Sequence, residues 1–440
     1  MEQFNRDEKR VFSKASRKTI EDYLASLSKR TFSRKWLHQN NRYRKYCTKR
    51  YEQDLGSAIV PPSVDIRDLT HYIASSAPTH SIDGWSFLGR AVDSALRGDT
   101  YSAIHFAYYA ELRAAMSLMA SEGVGVFSSK HATINRNRNW SKFPPRYRRE
   151  IGGTHKIIWP MLQYWSTLQR SSDLINEIIN PNPFHLSGWL DTLNVRSPIR
   201  AIAKHWMTSW GLDISVVEDD HNSRNYVSYR PSEFRKPKSL DIHEIVEFVE
   251  ELWVLFEPTG LGKFALMEKY LVKKAWQESG VNNPTQNELQ RKGLNLVQSM
   301  EWFAFLNNPG LTLPFTYAEN NTSIEDPYCH LQVISRAALL LFVSTMASRK
   351  LLTDAAFRLE MFSFWWSQHG RERGLWNDGG IPVNPIDIWS DIETILNDSK
   401  NWRRLHPRGS VSSFDWRNQQ PNALNWLGGF ELVGIWGLLP

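Results

Sequence analysis

The chain has 440 residues and a mass of 51.1 kDa, which is long for one ordinary domain, so we expect two or three. Hydrophobic residues make up 41 % and charged residues 22 %, a composition that excludes a disordered chain. Two cysteines, Cys47 and Cys329, are too few for a disulfide framework or a Cys-rich zinc site. The N-terminus has no apolar signal region, and the longest apolar stretch, 337–343, follows Arg336 directly. We therefore expect no membrane-spanning segment and a cytoplasmic location.

The first predicted unit, residues 1–60, is a basic helical arm. Residues 1–54 hold fifteen Lys and Arg side chains against seven acidic ones, so they account for the whole net charge of +7. Such a cluster favours contact with the phosphates of a nucleic acid. An acidic protein partner and a solvated helix without a partner are the alternatives. The candidate nucleic-acid-binding residues of the arm are Arg30, Arg34, Lys35, Arg42, Arg44 and Lys45.

The chain beyond the arm is predominantly helical by its apolar spacing of three and four residues. A helical pair is predicted over 85–96 and 101–123, with Asp99 or Thr100 as the cap between them and Gly123 as the stop. Short β segments are predicted near 124–127 and 212–217. Further helices are predicted over 157–168, 199–210, 240–256, 264–276, 289–305, 331–346 and 355–366.

A second basic run follows the helical pair. Trp140, Phe143 and Tyr147 are interleaved with its cations. Guanidinium groups pair with phosphate oxygens and aromatic faces stack on bases, so the mixture suits a single-stranded nucleic acid. An ordinary surface loop is the alternative. The candidate binding residues of this run are Arg136, Arg138, Arg146, Arg148 and Arg149.

The middle of the chain, 81–235, is the second predicted unit. It combines the Ala- and Tyr-rich stretch 103–110 with the later segment Arg224-Asn225-Tyr226-Val227-Ser228-Tyr229. In this order of features it resembles the HEPN superfamily of small helical bundles, found in prokaryotic ribonucleases, toxins and antiphage systems. The resemblance implies a helical bundle, a homodimer with two motifs in one cleft, and metal-independent RNA cleavage that uses the ribose 2′-hydroxyl.

The family motif, an arginine followed after four to six residues by a histidine, is incomplete here. Arg224 and Asn225 match its first part, but Tyr229 stands where the histidine belongs. Tyrosine has a reference pKa of about 10 against about 6.5 for histidine, so it is a poor base at neutral pH. This favours a non-catalytic bundle. His155, six positions after Arg149, completes a second match to the spacing. Capping or packing at a helix start is the favoured explanation, because Gly152-Gly153 interrupts the helix that should hold both side chains. The candidate catalytic residues are therefore Arg224, Asn225, Tyr229 and His155.

The third predicted unit, 239–440, is helical and rich in tryptophan, and its apolar end, 430–440, should be buried in the protein or a partner. The fold class is mainly α, a HEPN-like bundle between the basic arm and this second helical domain. The function we predict is binding of nucleic acid, RNA in preference to DNA, within a prokaryotic antiphage-defence or toxin-type system. Whether the protein is an enzyme stays open. The alternative is a non-catalytic scaffold that docks an effector protein through its apolar C-terminal domain. No metal or cofactor is predicted.

Overall fold

The computed structural model describes residues 4–28, 36–56, 59–128, 130–144, 153–210, 240–259, 264–319, 326–357, 370, 374–375 and 385–438. Of these residues 69 % are helical and 3 % lie in strands, which confirms the mainly α class. In the first half the helices are α1 (Arg6–Ser13), α2 (Arg17–Ser28), α3 (Cys47–Asp54), α4 (Ile66–Leu96), α5 (Thr100–Ser121), α6 (Thr154–Ser166), α7 (Gln169–Ile178), α8 (Leu186–Thr192) and α9 (Ile199–Trp210).

The second half of the chain is also built from helices, joined by short connections where the structure describes them. They are α10 (Ile242–Leu255), α11 (Ala265–Glu278), α12 (Gln286–Arg291), α13 (Leu296–Asn307), α14 (Leu313–Ala318), α15 (Cys329–Asp354), α16 (Ile388–Leu405), α17 (Ser413–Gln419), α18 (Pro421–Leu427) and α19 (Val433–Gly437). Short 3-10 turns, Pro385–Asp387 and Phe430–Leu432, precede α16 and α19.

Helices α4, α5 and α15 pack together at the centre of the molecule. Asp99, one of the two caps that the sequence predicts, caps α5 by accepting a hydrogen bond from the Ser102 N–H. The side chain of Thr345 on α15 links this helix to α4, because its hydroxyl accepts a hydrogen bond from Trp85 Nε1 at 2.9 Å. The three helices thus form one tightly packed unit, in which the predicted 85–96 segment is the second half of the longer α4.

Helix α15 is long and apolar enough to cross a membrane, with a mean hydropathy of 1.5 in its most apolar window, and that window is entirely buried inside the protein. The expectation that no segment spans a membrane stays a prediction. Arg336 does not interrupt the helix, because its Nε lies 3.6 Å from Oε1 of Glu111 on α5 and both side chains are buried. The Glu111 carboxylate compensates the Arg336 charge inside the bundle. In the hydropathy pattern alone, the same charge marks the end of the apolar stretch.

A three-stranded antiparallel sheet follows α5, in the order β1 (Val124–Phe127), β2 (Lys130–Ile134), β3 (Trp140–Lys142). The first strand confirms the predicted β segment. Gly123 makes the turn from α5 into β1 with a φ of 86°, a conformation that glycine adopts without steric cost. The backbone of Ser16 approaches closely there, and its N–H donates to the Ile134 carbonyl at 2.9 Å. The start of α2 is thereby fixed at the edge of the sheet.

The basic arm contains helices, as expected, but it packs on the body of the protein. Trp36, which is 5 % exposed, donates from Nε1 to the Ser75 carbonyl on α4 at 3.0 Å. Arg17 on α2 donates to the Ala347 carbonyl on α15 at 2.6 Å. The described part of the arm is therefore joined to the central bundle.

The C-terminal run is buried in the protein as far as the structure describes it, to residue 438. Phe430 stacks on Trp253 with ring centroids 4.1 Å apart, and Trp436 Nε1 donates to the Phe256 carbonyl. One hydrophobic core includes residues from all three predicted units. The division into domains at 60, 81 and 239 stays a prediction.

Two predicted helices differ from the structure. The predicted 289–305 helix is two helices, α12 and α13, because Gly293 adopts a φ of 108° between them. The predicted 355–366 helix does not begin at 355, because Ala355 caps α15 and Ala356 has a left-handed φ of 48°. The remainder of that segment and the predicted β segment at 212–217 lie outside the described residues.

Candidate nucleic-acid interface

Helix α3 lies against the sheet through one buried aromatic residue. The ring of Tyr51 is 5.2 Å from that of Phe127 on β1 and 6.3 Å from that of Trp140 on β3, both edge to face. Lys49 and Arg50 precede Tyr51 directly, and both are exposed. The contact therefore makes neighbours of two segments that the sequence singles out separately, the basic arm and the second basic run.

The loop between β2 and β3 presents two exposed arginines, Arg136 and Arg138. The side-chain oxygen of Asn135 accepts from the backbone N–H groups of Asn137 and Asn139, both at 2.9 Å, a short-range pattern typical of asparagine in turns. Arg138 has a left-handed φ of 58°. Chain geometry keeps its Cα within about 7 Å of that of Trp140. The loop is thus organised by its own polar groups and holds both guanidinium groups outward.

On the α3 side the exposed cations are Arg44, Lys45, Lys49 and Arg50. Together with Arg136, Arg138 and Lys142 we call them the basic face. Tyr46 lies among them, at the start of α3, with 76 % of its surface exposed. Sequence reasoning missed this residue, since nothing in the pattern distinguishes it from the buried Tyr43 and Tyr51.

Arg42, predicted to bind nucleic acid, is instead engaged within the protein. Its Nε donates to Oδ2 of Asp54 at 2.6 Å and its Nη2 to Oδ1 of the same carboxylate. Asp54 is 1 % exposed and also accepts from the Tyr43 hydroxyl at 2.8 Å. The Arg42 guanidinium holds the pKa of Asp54 below its usual range, and in return the pKa of Arg42 is raised. This pair closes the loop before α3 and positions the residues that follow it.

A small cavity lies between α4, α5 and β1, with a volume of about 120 Å³. Tyr72, Ser76 and His80 line it from one face of α4, and Arg113 lines it from α5. The Tyr72 ring is 5.8 Å from that of Phe127, which in turn contacts Tyr51. Binding pockets for a nucleotide-sized ligand usually measure about 300 Å³ or more, so this cavity fits only a small group or a few waters.

His80 and Arg113 form the charged part of this cavity. Arg113 Nη1 lies 3.0 Å from His80 Nδ1, and since guanidinium can only donate, Nδ1 accepts and the imidazole is neutral. Burial lowers the pKa of His80, and the adjacent Arg113 charge acts in the same direction, against Asp83. Asp83 Oδ2 lies 3.6 Å from Arg113 and balances its charge. A cation already balanced in this way favours a structural role over tight binding of an anion.

His155 is the second residue of α6 and lies in its first turn, after Gly153 as N-cap. Its ring stacks on Tyr108 of α5 with centroids 5.7 Å apart, and Nδ1 is 2.8 Å from the Tyr108 hydroxyl. The structure therefore places His155 in an aromatic contact at a helix start, which agrees with the packing alternative. Its catalytic role stays a prediction.

The other candidate residues lie outside the described residues. These are Arg30, Arg34, Lys35, Arg146, Arg148, Arg149, Arg224, Asn225 and Tyr229. Within the described part of the chain, no group of three or more His, Cys, Asp or Glu side chains is placed to hold a metal ion.

A second exposed surface lies on α13. Leu296, Val297, Met300 and Phe303 are 61 %, 63 %, 54 % and 37 % exposed, and they follow the three- and four-residue spacing of one helix face. The opposite face is buried through Ser299, Trp302 and Leu306. We call the four exposed residues the apolar face. A helix that is apolar on both sides usually has a partner on each.

No protein-family model matches the chain, and the searches of curated proteins and of solved structures found no match. The resemblance to the HEPN superfamily therefore stays a prediction.

Proposed function

We propose that the protein binds nucleic acid through the basic face, as a component of a prokaryotic defence or toxin-type system. The observation that supports this most is the packing of Tyr51 against Trp140, because Tyr51 follows the exposed Lys49 and Arg50 in α3 and Trp140 follows the loop that carries Arg136 and Arg138. Phosphate groups are recognised by such clusters of Lys and Arg. RNA is favoured over DNA by the resemblance to the HEPN superfamily.

The basic face has the electrostatic properties that phosphate binding requires. Arg44, Lys45, Arg136 and Arg138 are exposed, and among the described residues none of these side chains forms an ion pair. Arg42, by contrast, already neutralises Asp54. Cations without an internal partner can release counterions from a nucleic acid when they bind it, and this release drives association at low salt.

The test is a titration of labelled single-stranded RNA by fluorescence anisotropy between about 50 mM and about 200 mM salt. We expect affinity to fall steeply with salt. Two double variants, Arg44→Ala/Lys45→Ala and Arg136→Ala/Arg138→Asn, should each reduce the slope of log affinity against log salt by about 1.4, that is about 0.7 per lost phosphate contact. Asparagine is used at 138 because it accepts a left-handed backbone.

The matched control is Lys400→Ala/Arg404→Ala on α16, which removes the same charge from two exposed positions in the C-terminal half. It should leave affinity and slope unchanged. Equal losses in all three variants would mean that net charge alone drives binding, and the basic face would lose its role.

Ribonuclease activity, the enzymatic form of this proposal, depends on Arg224, Asn225, Tyr229 and His155. The test incubates purified protein and Arg224→Ala with mixed RNA in EDTA, and a catalytic bundle requires that only the wild-type protein cleave it. Identical RNA profiles for the two proteins would reduce the proposal to binding without cleavage.

A second candidate function, docking of an effector as a scaffold, is favoured by the apolar face of α13. This face contains no charged side chain, so its partner must present an apolar surface, and the interaction should respond little to salt. A second copy of the chain meets this requirement, because two uncharged faces do not repel each other. We take self-association as the first form of docking to test. A dimer through this face differs from the homodimer that the HEPN resemblance implies, in which two motifs of the middle unit face one cleft.

Sedimentation velocity over a range of protein concentrations provides the test. The wild-type chain should form a dimer at low and high salt, and Met300→Glu should be monomeric, since a charge on each copy would have to be buried. Phe414→Glu, which places the same charge on another exposed apolar residue, should still dimerise. A wild-type chain that stays monomeric throughout would exclude the second copy as the occupant.

A further inference from the structure

Tyr46 combines two features that are unusual for a tyrosine. Its side chain is 76 % exposed, the largest exposure among the aromatic residues that the described structure leaves open to solvent. Its backbone is left-handed, with φ 59° and ψ 45°. Apart from glycine, asparagine and aspartate, residues seldom adopt this conformation, and it is found more often at binding sites than elsewhere.

The backbone of Tyr46 is held in this conformation by α3. Its carbonyl accepts the hydrogen bond from the Arg50 N–H at 2.9 Å, the first of the helix, while its side chain makes no capping hydrogen bond. The ring therefore contributes nothing evident to the start of α3. The backbone of Tyr46 is fixed by the helix, and this limits the orientations that the ring can take.

The position of Tyr46 in the basic face suggests a ligand for the ring. Arg44 and Lys45 precede it directly, and both are exposed. A phosphate chain held by these two cations carries its bases a short distance away, within reach of an adjacent ring. An exposed aromatic between cations is the arrangement with which proteins bind single strands, because every base has a face that can stack.

We propose that Tyr46 stacks on an unpaired nucleobase, while Arg44 and Lys45 hold the neighbouring phosphates. This inference rests on the proposed function and narrows its ligand to single-stranded nucleic acid. A duplex binds less well at this position, because its bases already stack on each other and expose only their edges.

The experiment compares three ligands of equal length: single-stranded oligouridylate, an abasic oligonucleotide with the same phosphates, and an RNA duplex. Tyr46→Ala should weaken binding of oligouridylate about tenfold or more and leave binding of the abasic strand unchanged. Tyr46→Phe should retain the affinity, because the ring and not the hydroxyl makes the contact. An equal loss for both single strands, or no loss for oligouridylate, would overturn the stacking role.

Two controls distinguish a loss of stacking from a loss of stability and from the removal of any exposed aromatic ring. Tyr46→Gly relieves the left-handed backbone, so it should be at least as stable as the wild type and still lose affinity for oligouridylate. Phe414→Ala removes another exposed aromatic, one that lies 5.8 Å from the Arg417 guanidinium, and should bind normally. A glycine variant that unfolds more easily would give Tyr46 a structural role instead. If the wild-type protein binds none of the three ligands, the proposed function itself fails.

Discussion

The basic face and the apolar face differ in the force that would bind a ligand. The basic face joins α3 to the β2–β3 loop and exposes cations. The apolar face exposes four uncharged side chains of α13. Salt weakens attraction to phosphate steeply and hardly affects apolar contact. The response to salt therefore decides which surface carries the main function.

A Lys or Arg in the sequence does not always present its charge at the protein surface. Arg42 and Arg44 are two residues apart, yet Arg42 neutralises the buried Asp54 whereas Arg44 points to solvent. Arg17 is turned inward as well, with Nη1 donating to Ser121 at 3.1 Å. The number of cations available to a nucleic acid is thus smaller than the fifteen of the N-terminal segment.

The largest effect that we expect is a loss of stability at acidic pH. It sets the pH range in which binding by the two faces can be compared. His330 on α15 is 2 % exposed, and burial lowers its pKa to about 4 from an ordinary value of 6.5. As pH falls below 6.5 the unfolded chain takes up a proton that the folded chain refuses. The free energy of unfolding should therefore fall by about 1.4 kcal/mol per pH unit, or about 3 kcal/mol by pH 4.

Urea unfolding at a series of pH values measures this loss. His330→Gln retains an N–H donor but does not titrate, so it should reduce the acid sensitivity, while His185→Gln at an exposed position should not. Identical pH profiles for wild type and His330→Gln would contradict the assignment. Binding and docking are then best compared above pH 6.5.

The next largest effect concerns Arg42 and tests whether this residue belongs to the basic face. Arg42→Ala should lower the free energy of unfolding by about 2 kcal/mol, because it leaves the buried Asp54 without its cation. This value is below the usual cost of breaking a buried pair, since the Arg42 side chain is 43 % exposed and water replaces part of the attraction. Arg44→Ala should change stability by less than about 0.5 kcal/mol and weaken RNA binding instead. Thermal unfolding and anisotropy together measure both, and the reverse pattern would move Arg42 into the basic face.

A smaller effect concerns the contact that joins the two halves of the basic face. Within the described part of the chain the buried Tyr51 hydroxyl has no hydrogen-bond partner, so Tyr51→Phe should raise the free energy of unfolding by about 1 kcal/mol and preserve RNA affinity. Tyr51→Leu loses the ring contacts with Phe127 and Trp140 and should weaken RNA binding although no charge is removed. Unchanged affinity in Tyr51→Leu would show that the two groups of cations act independently.

The smallest effect on stability is expected at the apolar face. Val297→Gln should change the free energy of unfolding by less than about 0.5 kcal/mol, because Val297 is 63 % exposed. It should also leave RNA affinity unchanged while it weakens self-association in sedimentation velocity. A loss of stability above about 1 kcal/mol would show that this face is covered within the protein.

Local rules predicted much of the fold. The apolar spacing of α5, its cap at Asp99 and its end before Gly123 are all present in the structure, because each depends on residues a few positions apart. The same rules failed at Ala356 and Gly293, where a left-handed residue ends a helix inside an apolar pattern. Packing decides where a residue adopts such a left-handed backbone, and the spacing of apolar residues in the sequence carries no information about it.

The candidate site was less accessible to prediction. The cations of both segments could be read from the sequence, but the contact of Tyr51 with Trp140 joins residues far apart in the chain. The stripe Tyr72, Ser76, His80 has helical spacing, yet it is recognisable only once α4 is known to begin at Ile66. Tyr46 differs from Tyr43 and Tyr51 by its exposure and by its positive φ, and neither property is encoded in a local pattern.

The burial of α15 between α4 and α5 has a consequence for biosynthesis. The ribosome completes α5 about two hundred residues before it reaches α15, an interval of about 10 to 40 seconds at ordinary translation rates. During that time the nascent hairpin of α4 and α5 exposes the apolar groove that α15 later fills. We expect the emerging chain to depend on a chaperone until α15 has been synthesised.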